Sequence, residues 1–217
     1  MEPENIVVRR TVLRRAEAEL IERRSRFIAT VSPTRSESEA HKFISEMREK
    51  YSDATHNVYA YYINGGASTR CSDDGEPQGS SGYPTLAVLK SSGADDLCVV
   101  VTRYFGGILL GTGGLARAYS GAARAAIDEA GFAVYEMFSL VRVTLGYSEY
   151  QKLSAILRAE GIDEENVEFT DSVSMTLALR ASVRERILTY IRDITRSLAQ
   201  ITPVSEEERL VPCDSKK

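Results

Sequence analysis

The stretch VVVTRYFGGILLGTGGLARAY, Val99 to Tyr119, constrains the fold more than any other part of the chain. Leu97 to Thr102 is almost continuously apolar and rich in valine, the pattern of a strand covered on both faces. Glycines follow at 106, 107, 111, 113 and 114. Residues Gly113 to Ala130 then read as a helix. Ala116, Ala122, Ala123, Ala125 and Ala126 allow close approach to a sheet, while Arg117, Ser120, Arg124 and Asp128 form a polar stripe. Gly131 suits the stop. A strand of this kind needs a layer on each side, so the chain is predicted to be a layered mixed α/β (α+β) protein.

The flanking sequence supplies those layers. Residues 6–13 and 25–31 read as strands around a charged turn. Ser36 and Glu39 make a capping box ahead of a helix carrying Ala40, Phe43, Ile44 and Met47, ending near Tyr51. Val58 to Ile63 is a strand, Asn64 to Gly82 a polar loop, and Pro84 suits the first turn of a short helix reaching Lys90. Beyond Tyr135 the pattern changes. A strand at 138–145 carries a bulge near Leu140–Val141, and Ser148 and Gln151 cap a helix stopped by Gly161. Two strands follow, around Val167–Phe169 and at 173–179; Ser182 and Glu185 cap a second helix, and 199–204 is a last strand. The order β-α-β-β-α-β is the ferredoxin-like split pattern. Two domains are therefore predicted, 1–135 and 136–217.

Charge and length exclude several classes. The 217 residues carry 27 basic and 31 acidic side chains, a net −4, so the chain is no basic nucleic-acid wrapper and gives no DNA-specific signal. With Tyr set aside, the longest apolar run is Leu97 to Val101, far short of the ~20 residues a membrane helix needs. The start, MEPENIVVRR, lacks an apolar signal segment. Cys71, Cys98 and Cys213 form no C-x-x-C pair, which fits a reducing, cytoplasmic setting.

Two loops carry the candidate chemistry. In the first, a buried strand runs through glycines into a helix start, an order able to hold an anion on backbone N–H groups. Thr112 is placed to cap that helix, with Gly113 and Gly114 as backbone donors and Arg103 and Arg117 as charge-assisted partners. Gly106 and Gly107 belong to the same loop. No Walker lysine follows, and the glycines do not spell G-x-G-x-x-G. The second loop, CSDDGEPQGSSGYP, holds Asp73, Asp74 and Glu76. These acids are expected to cap turns and to pair with Arg70 or Arg103, with a hard-cation site as the alternative. His56 is the one histidine near both loops. It reads as a hydrogen-bonded structural group, or else as a base. Tyr59, Tyr61 and Tyr62 read as packing rather than as a base-stacking platform. No catalytic residue, metal or cofactor is assigned.

SRFIA (Ser25 to Ala29), DATHN (Asp53 to Asn57), SDDGEP (Ser72 to Pro77) and VVVTRYFGGILLGTGGLARAYS (Val99 to Ser120) together resemble the YigZ/IMPACT family and cover most of the first domain in the family's order. The run Arg103-Tyr104-Phe105-Gly106-Gly107 is close to diagnostic. Gln78, Val58, Ser80–Ser81 and Leu109 depart from the family's usual residues; at Leu109 lysine is common. The resemblance implies a first domain similar to the second domain of small-subunit ribosomal protein five. It implies a second domain similar to the C-terminal domain of elongation factor G. It also implies kinship with eukaryotic regulators of translation initiation that act through protein partners. The leading expectation is a non-enzymatic regulator binding RNA, the ribosome or a translation-associated protein, with Arg103 and Arg117 on phosphate. The alternative is an enzyme acting on a small phosphorylated or peptide-like substrate between SDDGEP and GTGG, with His56 as base.

Overall fold

The computed structural model describes residues 9–214. Contacts divide the chain into two units. One runs to Tyr135 and takes the chain up again from Leu210; the other is Glu136–Arg209.

The first unit is built on an antiparallel sheet. Its strands are β2 (Ala16–Glu22), β3 (Ser25–Pro33), β4 (His56–Ile63), β5 (Ser68–Ser72) and β6 (Leu97–Tyr104), in the order β2-β3-β6-β4-β5. A short β1 (Arg10–Val12) pairs instead with the start of β7 (Phe132–Leu145). The central β6 is buried along nearly its whole length. Its side chains alternate between two cores, as the pleat requires. Leu97, Val99 and Val101 pack with α2 (Gly82–Ser91) and α3 (Gly111–Ala130). Cys98 and Val100 pack with Ala40, Phe43, Ile44 and Met47 of α1 (Glu37–Lys50). The predicted double burial of this strand is thus met by a helix layer on each face. Ala122, Ala123 and Ala126 of α3 are fully buried, so small side chains let this helix lie close on the sheet.

Three local expectations change. Ala16–Glu22, inside the segment read as a charged turn, is a strand paired with β3. Residues 6–8 of the predicted first strand lie outside the described residues. Asn64 to Gly82 is not all loop: a one-turn 3-10 helix at Asn64–Gly66 leads into the edge strand β5. Helix α3 starts at Gly111, two residues earlier than expected, with Leu110 as its N-cap and no side-chain cap. Thr112 therefore lies inside the first turn and does not cap it.

The second unit follows the predicted order. The later part of β7 leads to α4 (Tyr147–Ala159), β8 (Glu164–Phe169), β9 (Val173–Arg180), α5 (Ala181–Thr195) and the first part of β10 (Gln200–Cys213). The sheet order is β10-β7-β9-β8, so the first and third strands of the motif lie at the centre. Val173, Met175, Leu177 and Leu179 alternate into a core with Leu153 and Leu157 of α4 and Ile187, Leu188 and Ile191 of α5. The expected bulge at Leu140–Val141 is absent. There β7 pairs with β9 in unbroken register, and the irregularity sits in β8 between Glu165 and Glu168, where Asn166 has φ +49°. Helices α4 and α5 begin at Tyr147 and Ala181 without side-chain caps, so neither Ser148 nor Ser182 is an N-cap. No helix among the described residues is long and apolar enough to cross a membrane.

Candidate functional site

Register across the first sheet assembles the site. Arg103 of β6 lies opposite Phe27 of β3 on one side and His56 of β4 on the other. Directly opposed residues share a face, so these three form a row on the side covered by α3. Tyr119 of α3 comes down beside them, its ring edge-on to Phe27 at 5.1 Å.

Glu76 closes this row. Its side chain is only 3% exposed, and one oxygen, Oε1, gathers three neighbours. Arg103 Nη1 donates to it at 2.6 Å and the Tyr119 hydroxyl at 2.8 Å; His56 Nε2 stands 3.8 Å away. Burial, then the adjacent Glu76 carboxylate, pushes the Tyr119 hydroxyl far above its ordinary value, so it stays a neutral donor. Arg103 spends its other amino group on Ser25 Oγ at 3.4 Å and stacks its guanidinium on Phe27 and Phe105. Its Nε is buried with no hydrogen-bond partner. His56 Nδ1 lies 2.8 Å from the carbonyl oxygen of Asp74. A carbonyl only accepts, so Nδ1 carries a proton and donates to it, which leaves Nε2 facing the Glu76 carboxylate.

The acidic loop is committed to structure, as the sequence suggested. Asp73 Oδ1 accepts from the backbone N–H groups of Ser81 and Gly82 and from Ser81 Oγ, and its Oδ2 accepts from Gly79 N–H. Burial raises its carboxyl, but these hydrogen bonds outweigh that and hold it below the usual value. Asp73 is thus an internal anion seated at the start of α2. It fills the small-residue stretch that an external anion would need. Asp74 accepts from Asn57 N–H at 2.7 Å and pairs with Arg48 at 2.8 Å. The three acids serve three different sets of donors, and among the described residues no group of His, Cys, Asp and Glu is arranged to hold a metal.

Between the two loops lies a cavity of about 410 Å³. His56, Glu76 and Arg103 line it, together with Pro77, Phe105, Leu109, Leu110 and Leu115 and the first turn of α3 at Gly111 and Thr112. Of the residues singled out from sequence, His56, Glu76, Arg103 and Thr112 meet here. Asp73, Asp74, Gly106, Gly107, Gly113, Gly114 and Arg117 do not line it. Arg117 is exposed on α3, and Gly106 packs so tightly on the β2–β3 turn that a Cβ would sit 2.1 Å from the Arg24 carbonyl carbon. Gly107, at φ +83°, serves the turn. Because α3 begins at Gly111, Gly113 keeps a free first-turn N–H, whereas the N–H of Gly114 falls to the helix ladder. Tyr119, Ser25 and the apolar rim were not anticipated. The signal for Tyr119 was present, since it falls on the same helical face as Leu115, Ala118 and Ala122. The tyrosines of β4 pack as expected, with Tyr61 only 1% exposed. Burial pushes the Cys71 thiol up, so no activated thiolate forms there.

Two family models match the chain, one in each part. Residues 23–127 match the Impact N-terminal domain, and residues 143–197 match a domain of unknown function, DUF1949. The chain is 31% identical over 192 residues to the IMPACT family member YvyE of Bacillus subtilis, spanning 88% of each chain. It is 32% identical over 190 residues to the IMPACT family member YigZ of Escherichia coli, spanning 85% of this chain and 92% of that one. A solved structure described as a hypothetical protein shares 27% identity at a TM-score of 0.58, covering 91% of this chain and 98% of its own. With both domains matched in order and identity sustained along nearly the whole length, the chain belongs to the IMPACT family.

Proposed function

We propose that this chain is a non-enzymatic, translation-associated binding protein that engages a protein partner through the rim of the cavity in its first unit. One observation carries the reading. The charged floor is neutralised internally by the Arg103–Glu76 pair, while the rim exposes apolar side chains. Leu109 is 82% exposed, Phe105 45% and Ile108 39%. Such a patch beside a polar pocket marks a protein contact. A phosphate backbone would need free cations, and most arginines of the N-terminal region are already engaged. Arg14, Arg15 and Arg26 pair with Glu129, Glu46 and Glu19, and Arg10 lies over the ring of Phe132. The resemblance to a family with eukaryotic regulators of translation initiation supports the translation-associated part of this reading.

The test is co-sedimentation with ribosomes at low and high salt, comparing the intact chain with Leu109→Asp and Arg117→Ala. Binding that survives high salt, is lost in Leu109→Asp and is retained in Arg117→Ala is expected. Binding lost at high salt and in Arg117→Ala, but kept in Leu109→Asp, overturns the reading in favour of RNA phosphates.

A second reading, a small-molecule enzyme, draws on His56, which lines the cavity beside the buried Glu76 carboxylate. Thermal unfolding with Mg²⁺, nucleotides, phosphate and short peptides tests it. A ligand at 100 times its Kd stabilises by about 2.7 kcal/mol. A flat response across the panel removes this alternative.

A further inference from the structure

Helix α5 of the second unit carries Arg184, Leu188 and Arg192 in one stripe at i, i+4 and i+8. These residues line a groove of about 470 Å³, completed by Val141 of β7 and by Ser197, Ala199, Ile201 and Pro203 leading into and along β10. The floor is aliphatic, and the two cations stand toward its ends, roughly 12 Å apart along the helix axis. Among the described residues neither makes a close ion pair. Arg184 reaches only its own neighbour Glu185, at 3.8 Å, and its Nε is buried without a hydrogen-bond partner. Arg192 makes no ion pair among the described residues. Most other arginines of this unit are paired: Arg142 with Glu168, Arg180 with Glu136, Arg186 with Glu160, and Arg209 with Glu165. Arg184 also sits near the start of α5, whose first turn holds no acidic residue, so the helix dipole adds to its positive potential.

We propose that this groove docks an acidic amphipathic helix of a partner protein. Two glutamates or aspartates two turns apart on that helix would meet Arg184 and Arg192, with aliphatic side chains between them on Ala199, Ile201 and Pro203, above the buried Val141 and Leu188. A helix fits the spacing, because seven residues advance about 10.5 Å. Addition of a strand to β10 fits less well, since Pro203 lacks the N–H that an edge partner would use. A nucleic acid fits less well too, because no aromatic side chain lines the groove to stack a base. This surface lies wholly in the second unit and is independent of the cavity in the first.

The experiment titrates the full chain into a fluorescently labelled, helix-stabilised peptide with leucines on one face and glutamates at i and i+7, read by anisotropy. A second peptide carries lysines at those positions, and an unlabelled single-stranded oligonucleotide serves as competitor. Arg184→Glu/Arg192→Glu is the variant, with folding checked by circular dichroism and thermal unfolding; both side chains reach the surface, so the core stays intact. The glutamate peptide is expected to bind and to weaken about tenfold or more in the variant, a change worth about 1.4 kcal/mol. The lysine peptide is expected to show the reverse preference. Amide chemical shifts of the intact chain add a readout that does not depend on the variant, and they are expected to move at 184–201. Equal binding of the glutamate peptide to both proteins, shifts confined elsewhere, or displacement by the oligonucleotide with shifts at the same groove would overturn the proposal.

Discussion

Arg103 and Glu76 depend on each other because both are nearly removed from water. Truncating one strands the other as a buried charge, which typically costs about 3–5 kcal/mol. Arg103→Ala is therefore expected to lower stability by about that much in urea unfolding. Glu76→Leu/Arg103→Met removes both charges at similar volume and is expected to be more stable than Arg103→Ala alone. Additive losses in the two single variants and the double variant would contradict the paired account. The sequence made part of this legible. Glu76 stands in a run of acids that needed cationic partners, and Arg103 was one of two candidates. What it could not supply was the shared row of Phe27, Arg103 and His56, which depends on strand register between segments far apart in the chain. The same limit applies to Gly106. Its glycine character reads as a turn, yet the decisive fact is close approach to the backbone of Arg24 and Ser25 some eighty residues earlier.

Among the elements, the strand–turn–helix from β6 to α3 was the most readable, because its burial pattern and alanine content are local. The hairpin of β2 and β3 was hidden by its turn. Arg23 and Arg24 take φ +45° and +68°, a conformation usually marked by Asn-Gly, so two arginines there read as a charged connection. Helix starts were misread at Ser148–Gln151 and Ser182–Glu185, where the spacing matched a capping box but the backbone began the helix elsewhere, whereas Ser36 and Glu39 do cap α1. Helix α2 shows the converse: its carboxylate cap arrives from Asp73, nine residues before Gly82. That geometry predicts a pH dependence. A carboxyl held below its unfolded value contributes stability that is fully present above about pH 4 and is lost as pH falls through the lower, folded value. Asp73→Asn should cost about 1–2 kcal/mol at neutral pH and flatten the acid limb of stability below pH 4. An acid limb identical in the variant, measured by thermal unfolding across pH 2–7, would contradict this role.

At the scale of the whole molecule, each unit buries its own core and presents a different kind of surface. The first offers an apolar rim around a charge-neutralised cavity; the second offers a groove flanked by Arg184 and Arg192, of which Arg184 makes only a loose pair with its neighbour Glu185. The two-part division was legible because the periodicity changes near Tyr135. The rim was not, since Leu109 and Phe105 lie in a loop where hydrophobicity carries no periodic signal. The first unit is proposed to engage its partner by apolar contact rather than through phosphate. The most direct measurement is the affinity of the intact chain for ribosomes as a function of salt. Each phosphate neutralised contributes a slope of about −0.7 to −0.9 in log affinity against log salt. A slope near zero, together with loss of binding in Leu109→Asp, is the predicted result. A slope of about −3 or steeper, unchanged by Leu109→Asp, would contradict it.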